Sequence, residues 1–197
     1  MATIFYFHGF GSTGEGPKVD SLRQALPNHT IVAPDIPSNP KVAVTVLSKL
    51  IREAASYPVV FIGTSLGGFW ANYMAQKFDA PAVIVNPSTN PAASMQSRIG
   101  TVFMNYKTNA PIEITQDDVN EFTKLEDELA ELYNGALVHL FVAKDDDVIS
   151  CEQTLKNIPY SASCTISESG GHRYLEEWDK VVSAVSRLVA PKELVRN

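Results

Sequence analysis

Two rhythms of apolar residues alternate along this chain. Short continuous runs read as strands: Ile4-Phe5-Tyr6-Phe7-His8, Thr30-Ile31-Val32-Ala33, Val59-Val60-Phe61-Ile62, Pro81-Ala82-Val83-Ile84-Val85-Asn86, Leu137-Val138-His139-Leu140-Phe141-Val142 and a short Cys164-Thr165-Ile166. Between them apolar residues recur at helical spacing. Val42, Val46, Leu47, Leu50, Ile51 and Ala54 do so between Lys41 and Ser56, and Trp70, Ala71, Tyr73, Met74 and Phe78 do so after Ser65. Pro17 opens a helix to about Leu26, and a last helix runs from about Leu175 to Val189. Strands that alternate with helices pair in parallel, and strands covered on both faces are apolar throughout. The expected architecture is an α/β three-layer sandwich of the α/β-hydrolase type, with a mostly parallel sheet of about six strands.

Residues 88–135 interrupt this rhythm, with no clear central strand and an acidic helix from about Thr115 to Tyr133. Phe122, Leu125, Leu129 and Leu132 fall on one face of that helix. Two compatible readings follow: a small helical cap inserted over the site, or a crossover helix with a solvated acidic side. No linker or repeat divides the chain, so one domain over residues 1–197 is expected.

The strand at Phe61 runs into Gly63-Thr64-Ser65-Leu66-Gly67-Gly68-Phe69 and then a helix. Strand, Gly-x-Ser-x-Gly and helix together form the nucleophile-elbow pattern, which lifts a serine hydroxyl above the sheet on a tight bend. Backbone N–H groups at the start of the following helix favour negative charge there.

Composition narrows the classes. The 197 residues are 45% hydrophobic and 19% charged, as in an ordinary globular protein. A net charge of −6 argues against a nucleic-acid partner. Cys151 and Cys164 are the only cysteines; they suit free thiols in a reducing compartment and offer no metal spacing. No signal peptide or membrane-length apolar run is visible, so a cytoplasmic protein without a membrane partner is expected.

A serine nucleophile needs a base and a group that orients the base, in the chain order Ser, acid, His for this architecture. His8 and His29 precede Ser65, and His139 lies inside an apolar strand. His172, in the turn Ser169-Gly170-Gly171-His172-Arg173, is the expected base. The acid belongs in the loop after Val142, where Asp145, Asp146 and Asp147 are adjacent; a second aspartate there is expected to cap the helix near Ser150, and Glu168 is a rival acid. The expected oxyanion donors are the N–H groups of Leu66 and Phe10, with His8 buttressing the loop that holds Phe10. Gly9-Phe10-Gly11-Ser12-Thr13-Gly14 also matches a dinucleotide-binding spacing, with Asp35 near the ribose-binding position. That reading leaves Ser65 and His172 without a role. Phe10, Phe69, Trp70 and Met95 are candidates to line the acyl pocket, and equally candidates for the core.

Phe7-His8-Gly9-Phe10-Gly11-Ser12, the elbow, Val83-Ile84-Val85-Asn86-Pro87 and Gly170-Gly171-His172 carry a resemblance over nearly the whole chain. It resembles the small bacterial α/β-hydrolase esterases typified by YqiA and YcfP. The resemblance places the triad acid at Asp146, two residues before Val148, although the longer acidic run here keeps Asp145 in play. It implies a serine esterase or thioesterase acting on a small-molecule acyl ester or thioester with no cofactor. The same triad on other bonds (peptide or carbon–carbon), and a non-catalytic binding protein of this fold, are the alternatives.

Overall fold

The computed structural model describes residues 1–54 and 58–190. In chain order the elements are β1 (Thr3–Phe7), α1 (Pro17–Ala25), β2 (Thr30–Val32), α2 (Pro40–Ala54), β3 (Val59–Thr64), α3 (Leu66–Phe78) and β4 (Ala82–Val85). They continue with α4 (Pro91–Gln96), β5 (Val102–Met104), β6 (Pro111–Glu113), α5 (Gln116–Leu132), β7 (Val138–Ala143), α6 (Cys151–Asn157), β8 (Ser163–Ser167) and α7 (Trp178–Val189). The expected end of the second helix at Ser56 lies outside the described residues.

Six strands form one parallel sheet in the order β2-β1-β3-β4-β7-β8. The three-layer α/β-hydrolase architecture is therefore as the sequence predicts. Alternation along β1 shows why its apolar run is unbroken. Phe5 and Phe7 face a core built with α2, α3 and α5. Ile4 and Tyr6 face a second core with Val19, Leu22, Trp178, Val181 and Val185 of α1 and α7. Both sides of a central strand leave water, so alternation of polar and apolar residues is lost.

Strand order doubles back at β1 and β3. From β1 the chain goes to the edge strand β2, then crosses over to β3 on the opposite side and proceeds outward. At such a switch point the loops leaving neighbouring strands diverge, and a crevice opens at their carboxyl ends. The loops after β1 and β3 flank that crevice, and those after β4, β7 and β8 follow on adjacent strands.

Two expectations need correction, and residues 88–135, which give the central sheet no strand, hold a feature the sequence did not signal. Residues 88–135 contain an antiparallel hairpin, with Val102 paired to Glu113 and Met104 to Pro111. Its strands are three residues each and only Ile112 among them is buried, too little for a periodic signal. The buried face of α5 is Val119, Phe122 and Leu125, while Leu132 is exposed at the helix end. The cap of α6 is Ser150 itself, whose Oγ accepts from Gln153 N–H at 3.2 Å, not an aspartate. Among the described residues no helix is long and apolar enough to cross a membrane.

Candidate active site

Ser65 joins β3 to α3 with φ 56° and ψ −126°, a backbone state that costs about 1–3 kcal/mol and persists only when its surroundings enforce it. They do. Ser65 N–H donates to Val85 C=O at 3.1 Å, and its own carbonyl accepts from Gly68 and Ser88 N–H at 2.8 and 2.9 Å. The bend leaves no room for side chains on either flank. A Cβ on Gly63 would lie 1.9 Å from the Gly67 carbonyl oxygen, and one on Gly67 would lie 2.0 Å from that of Phe7. Gly68 meets Pro87 in the same way, at 2.7 Å, which ties the elbow's extra glycine to the Asn86-Pro87 segment.

His172 lies in the loop after β8. Its Nδ1 donates to Asp146 Oδ1 and Oδ2 at 3.0 and 2.9 Å. The Asp146 side chain is closed off from solvent while the imidazole keeps some exposure. Burial alone would raise the Asp146 carboxyl; the bonds from His172 and from the Ile149 and Val148 N–H groups outweigh it and hold the group below its usual value. The rival acids are engaged elsewhere. Asp145 accepts from Gly171 N–H at 2.8 Å, and Glu168 pairs with Lys144 at 2.6 Å.

Four consecutive strands in the sheet supply these loops, and adjacent strands sit about 4.8 Å apart, so β8 lies roughly 14 Å from β3. A buried asparagine helps to bridge that span. Asn86, at the end of β4 with φ 41°, donates from Nδ2 to the carbonyls of Gly171 (2.9 Å) and His172 (3.3 Å). Its Oδ1 accepts from Ala143 N–H at 2.9 Å, where the acid loop begins. One side chain thus fixes both loops. Tyr174, fully buried and bonded to Ser167 Oγ at 2.7 Å, anchors the turn from below.

His8 is structural, as expected. Its Nε2 accepts from Ile36 N–H at 2.9 Å, so Nδ1 carries the proton and donates to Gly9 C=O at 2.8 Å. Burial pushes its pKa down, and the bond to Gly9 only partly opposes this. Because the Gly9 carbonyl is held toward His8, the Phe10 N–H across the same trans peptide points the other way. Among the described residues neither the Phe10 N–H nor the Leu66 N–H has an acceptor. The dinucleotide reading loses its acidic residue here: Asp35 accepts from Gly14 N–H at 2.7 Å within the protein.

Ser65, His172, Gly9 and Phe10 line one cavity of about 490 Å³. The hairpin borders it: Tyr106 N–H donates to Gly11 C=O at 2.9 Å and Asn105 Nδ2 to Ser12 C=O at 2.8 Å. No hydrogen bond joins Ser65 Oγ to His172 among the described residues; in substrate-free sites such contacts are often long.

A family model described as an uncharacterised protein family, UPF0227, matches residues 3–188. The chain belongs to UPF0227. A UPF0227 protein of Shewanella sp. (strain MR-7) is 24% identical over 185 residues, covering 90% of this chain and 88% of that protein. One from Shewanella sp. (strain ANA-3) is 23% identical over 87% and 90%. Among solved structures, Est1E from Butyrivibrio proteoclasticus with bound ferulic acid superposes with a TM-score of 0.70 at 12% identity, over 95% of this chain and 87% of that one. Mouse alpha/beta hydrolase domain-containing protein 10 gives 0.68 at 12% identity, over 95% and 89%. The YqiA and YcfP resemblance and the α/β-hydrolase fold therefore stand.

In this UPF0227 chain three of the four residues considered for the pocket do not line the Ser65 cavity. Phe69 and Trp70 are 2% exposed and covered by Phe122 of α5, with ring centroids 5.7 and 5.8 Å away. Met95 is buried in the same core. The reason is that α3 is enclosed on most sides, so apolar residues beside the elbow are claimed by packing. Only Phe10 lines the cavity. The sequence reading missed the fixing role of Asn86, for which its position directly before a proline at a strand end was the available signal. It also missed the cavity's cationic lining, because Lys18, Arg98, Lys107 and Arg173 are scattered along the chain.

Proposed function

We propose that this protein is a serine hydrolase that cleaves carboxylic esters or acyl thioesters through an acyl-enzyme. One observation carries the reading: a serine on a strained elbow shares a cavity with a histidine whose Nδ1 is bonded to a buried carboxylate. With Nδ1 so occupied, Nε2 is the nitrogen available to take the Ser65 proton.

Ser65 Oγ attacks the acyl carbon as its proton passes to His172. The carbonyl oxygen gains negative charge and accepts from the N–H groups of Phe10 and Leu66; one such donor contributes about 3–4 kcal/mol to the transition state. Collapse expels the alcohol or thiol, which takes the proton from His172. Water then attacks the acyl-Ser65 ester, again losing a proton to His172, and the acid leaves as the proton returns to Ser65 Oγ. Asp146 holds the imidazole orientation and stabilises the imidazolium. The chemistry uses side chains, two backbone N–H groups and water. A cavity of about 490 Å³ suits a short or medium acyl ester.

The test uses a fluorophosphonate probe and a panel of esters, thioesters and peptides. Wild type is expected to be labelled and to turn over esters, and Ser65→Ala to do neither. Equal labelling of both proteins would overturn the assignment of the nucleophile.

A further inference from the structure

The chain carries net charge −6, yet the reactive cavity reverses that sign. Among the described residues four cationic side chains line the cavity (Lys18, Arg98, Lys107 and Arg173) against one carboxylate, Glu15. Glu15 is already satisfied by a two-pronged pair with Arg23, at 2.7 and 2.9 Å. Asp20, the other nearby carboxylate in sequence, also lies beside Arg23, at 3.6 Å.

Lys18 is the least expected of these cations. It is half-buried in the first turn of α1, where the helix dipole disfavours positive charge. Its Nζ sits 4.9 Å from the centre of the Trp178 ring, and among the described residues no carboxylate lies within ion-pair distance. Burial, followed by the charge of Arg173, lowers its pKa to about 7. A lysine held away from water, beside an arginine and without a counter-ion, costs stability in the free protein. An anion entering the cavity removes that cost.

The position of Arg173 indicates which part of a substrate would carry the anion. In the proposed reaction His172 protonates the departing oxygen or sulfur, so the leaving group must lie against the imidazole. Arg173 follows His172 in the chain, lines the same cavity and is close enough to Lys18 for their charges to interact. Resting on the hydrolase reading, we propose that Lys18 and Arg173 form an anion subsite for the leaving group. The enzyme then takes esters whose alcohol or thiol part carries a phosphate or carboxylate. Both anions present the oxygen acceptors that lysine and arginine recognise.

Four esters test this: neutral ethyl butyrate, the butyryl esters of 2-phosphoethanol and of glycolic acid, and monoethyl glutarate, whose anion is on the acyl side. Wild type is expected to prefer one or both butyryl esters with an anionic leaving group over ethyl butyrate in kcat/KM, and the two show whether phosphate or carboxylate is favoured. Lys18→Met and, separately, Arg173→Met are expected to reduce that preference about tenfold or more, mainly through KM. A preference that is absent in wild type, unmoved in both variants, or altered only for monoethyl glutarate would overturn the proposal. A binding measurement keeps the subsite separate from the chemistry. Inorganic phosphate is expected to raise the Tm of wild type more than that of Lys18→Met. If wild type hydrolysed no ester at all, the hydrolase reading would fall, and equal phosphate shifts in both proteins would then remove the subsite as well.

Discussion

His172 donates from Nδ1 to both carboxylate oxygens of Asp146, at 3.0 and 2.9 Å, while the adjacent Asp145 accepts instead from the backbone of Gly171 at 2.8 Å. Two neighbouring aspartates thus hold one loop by different atoms. Asp146→Asn is expected to lower kcat about 10³–10⁴-fold, because an amide can present its N–H to Nδ1 and fix the wrong tautomer. Asp145→Asn, which keeps an oxygen for Gly171 N–H, should cost about tenfold or less. Steady-state ester hydrolysis compares them, and an equal loss in both would reassign the acid.

Asn86 links the end of β4 to the acid loop and to the histidine loop at once. Asn86→Ala strands a buried N–H and two carbonyls and puts alanine at φ 41°, a loss of about 2–4 kcal/mol in stability. The loss of kcat should persist at temperatures where the variant is fully folded. Chemical denaturation beside kinetics checks both. A stable variant with full activity would show that the loop needs no such tie.

A Cβ added to Gly9 would sit 3.3 Å from Ser65 Cβ and 3.7 Å from Ser65 Oγ. Gly9→Ala therefore presses on Ser65, the proposed nucleophile, while leaving the core untouched. A fall in kcat of about tenfold or more is expected, with Tm changed little. Unaltered kcat would mean that the elbow yields without displacing the hydroxyl.

Lys18 gives stability a recognisable pH dependence. Its folded pKa is lowered from the ordinary 10.5 to about 7, by burial first and Arg173 second. Between those values the unfolded chain holds a proton that the folded chain has released, so this group makes stability rise with pH across the window. Its penalty is complete below about 7 and gone near 10.5. Lys18→Met should thus exceed wild type in stability most at mildly acid pH, with the gap closing toward alkaline pH. Urea midpoints measured across that range, in phosphate-free buffer, provide the check. A gap that does not vary with pH would place the ammonium in water.

The sequence by itself determined the sheet and the elbow, and chain order pointed to His172, the histidine that the structure brings against Asp146. Continuous apolar runs record strands buried on both faces, and Gly63 and Gly67 record a bend with no space for a Cβ. Those signals are read locally, from the period of each element and the glycine spacing of the bend, even where the contact behind them, Gly67 against Phe7 of β1, is distant in the chain. Which of Asp145, Asp146 and Glu168 meets the imidazole was not local. It depends on how a loop after β7 faces a loop after β8, and on Asn86 of β4 fixing both. The pocket lining was hidden for a related reason: Phe69 and Trp70 look like acyl contacts beside the serine until α5 folds over them. The cationic wall came together only in three dimensions, since side chains distant in the chain share a cavity when parallel strands open their loops at one end of the sheet.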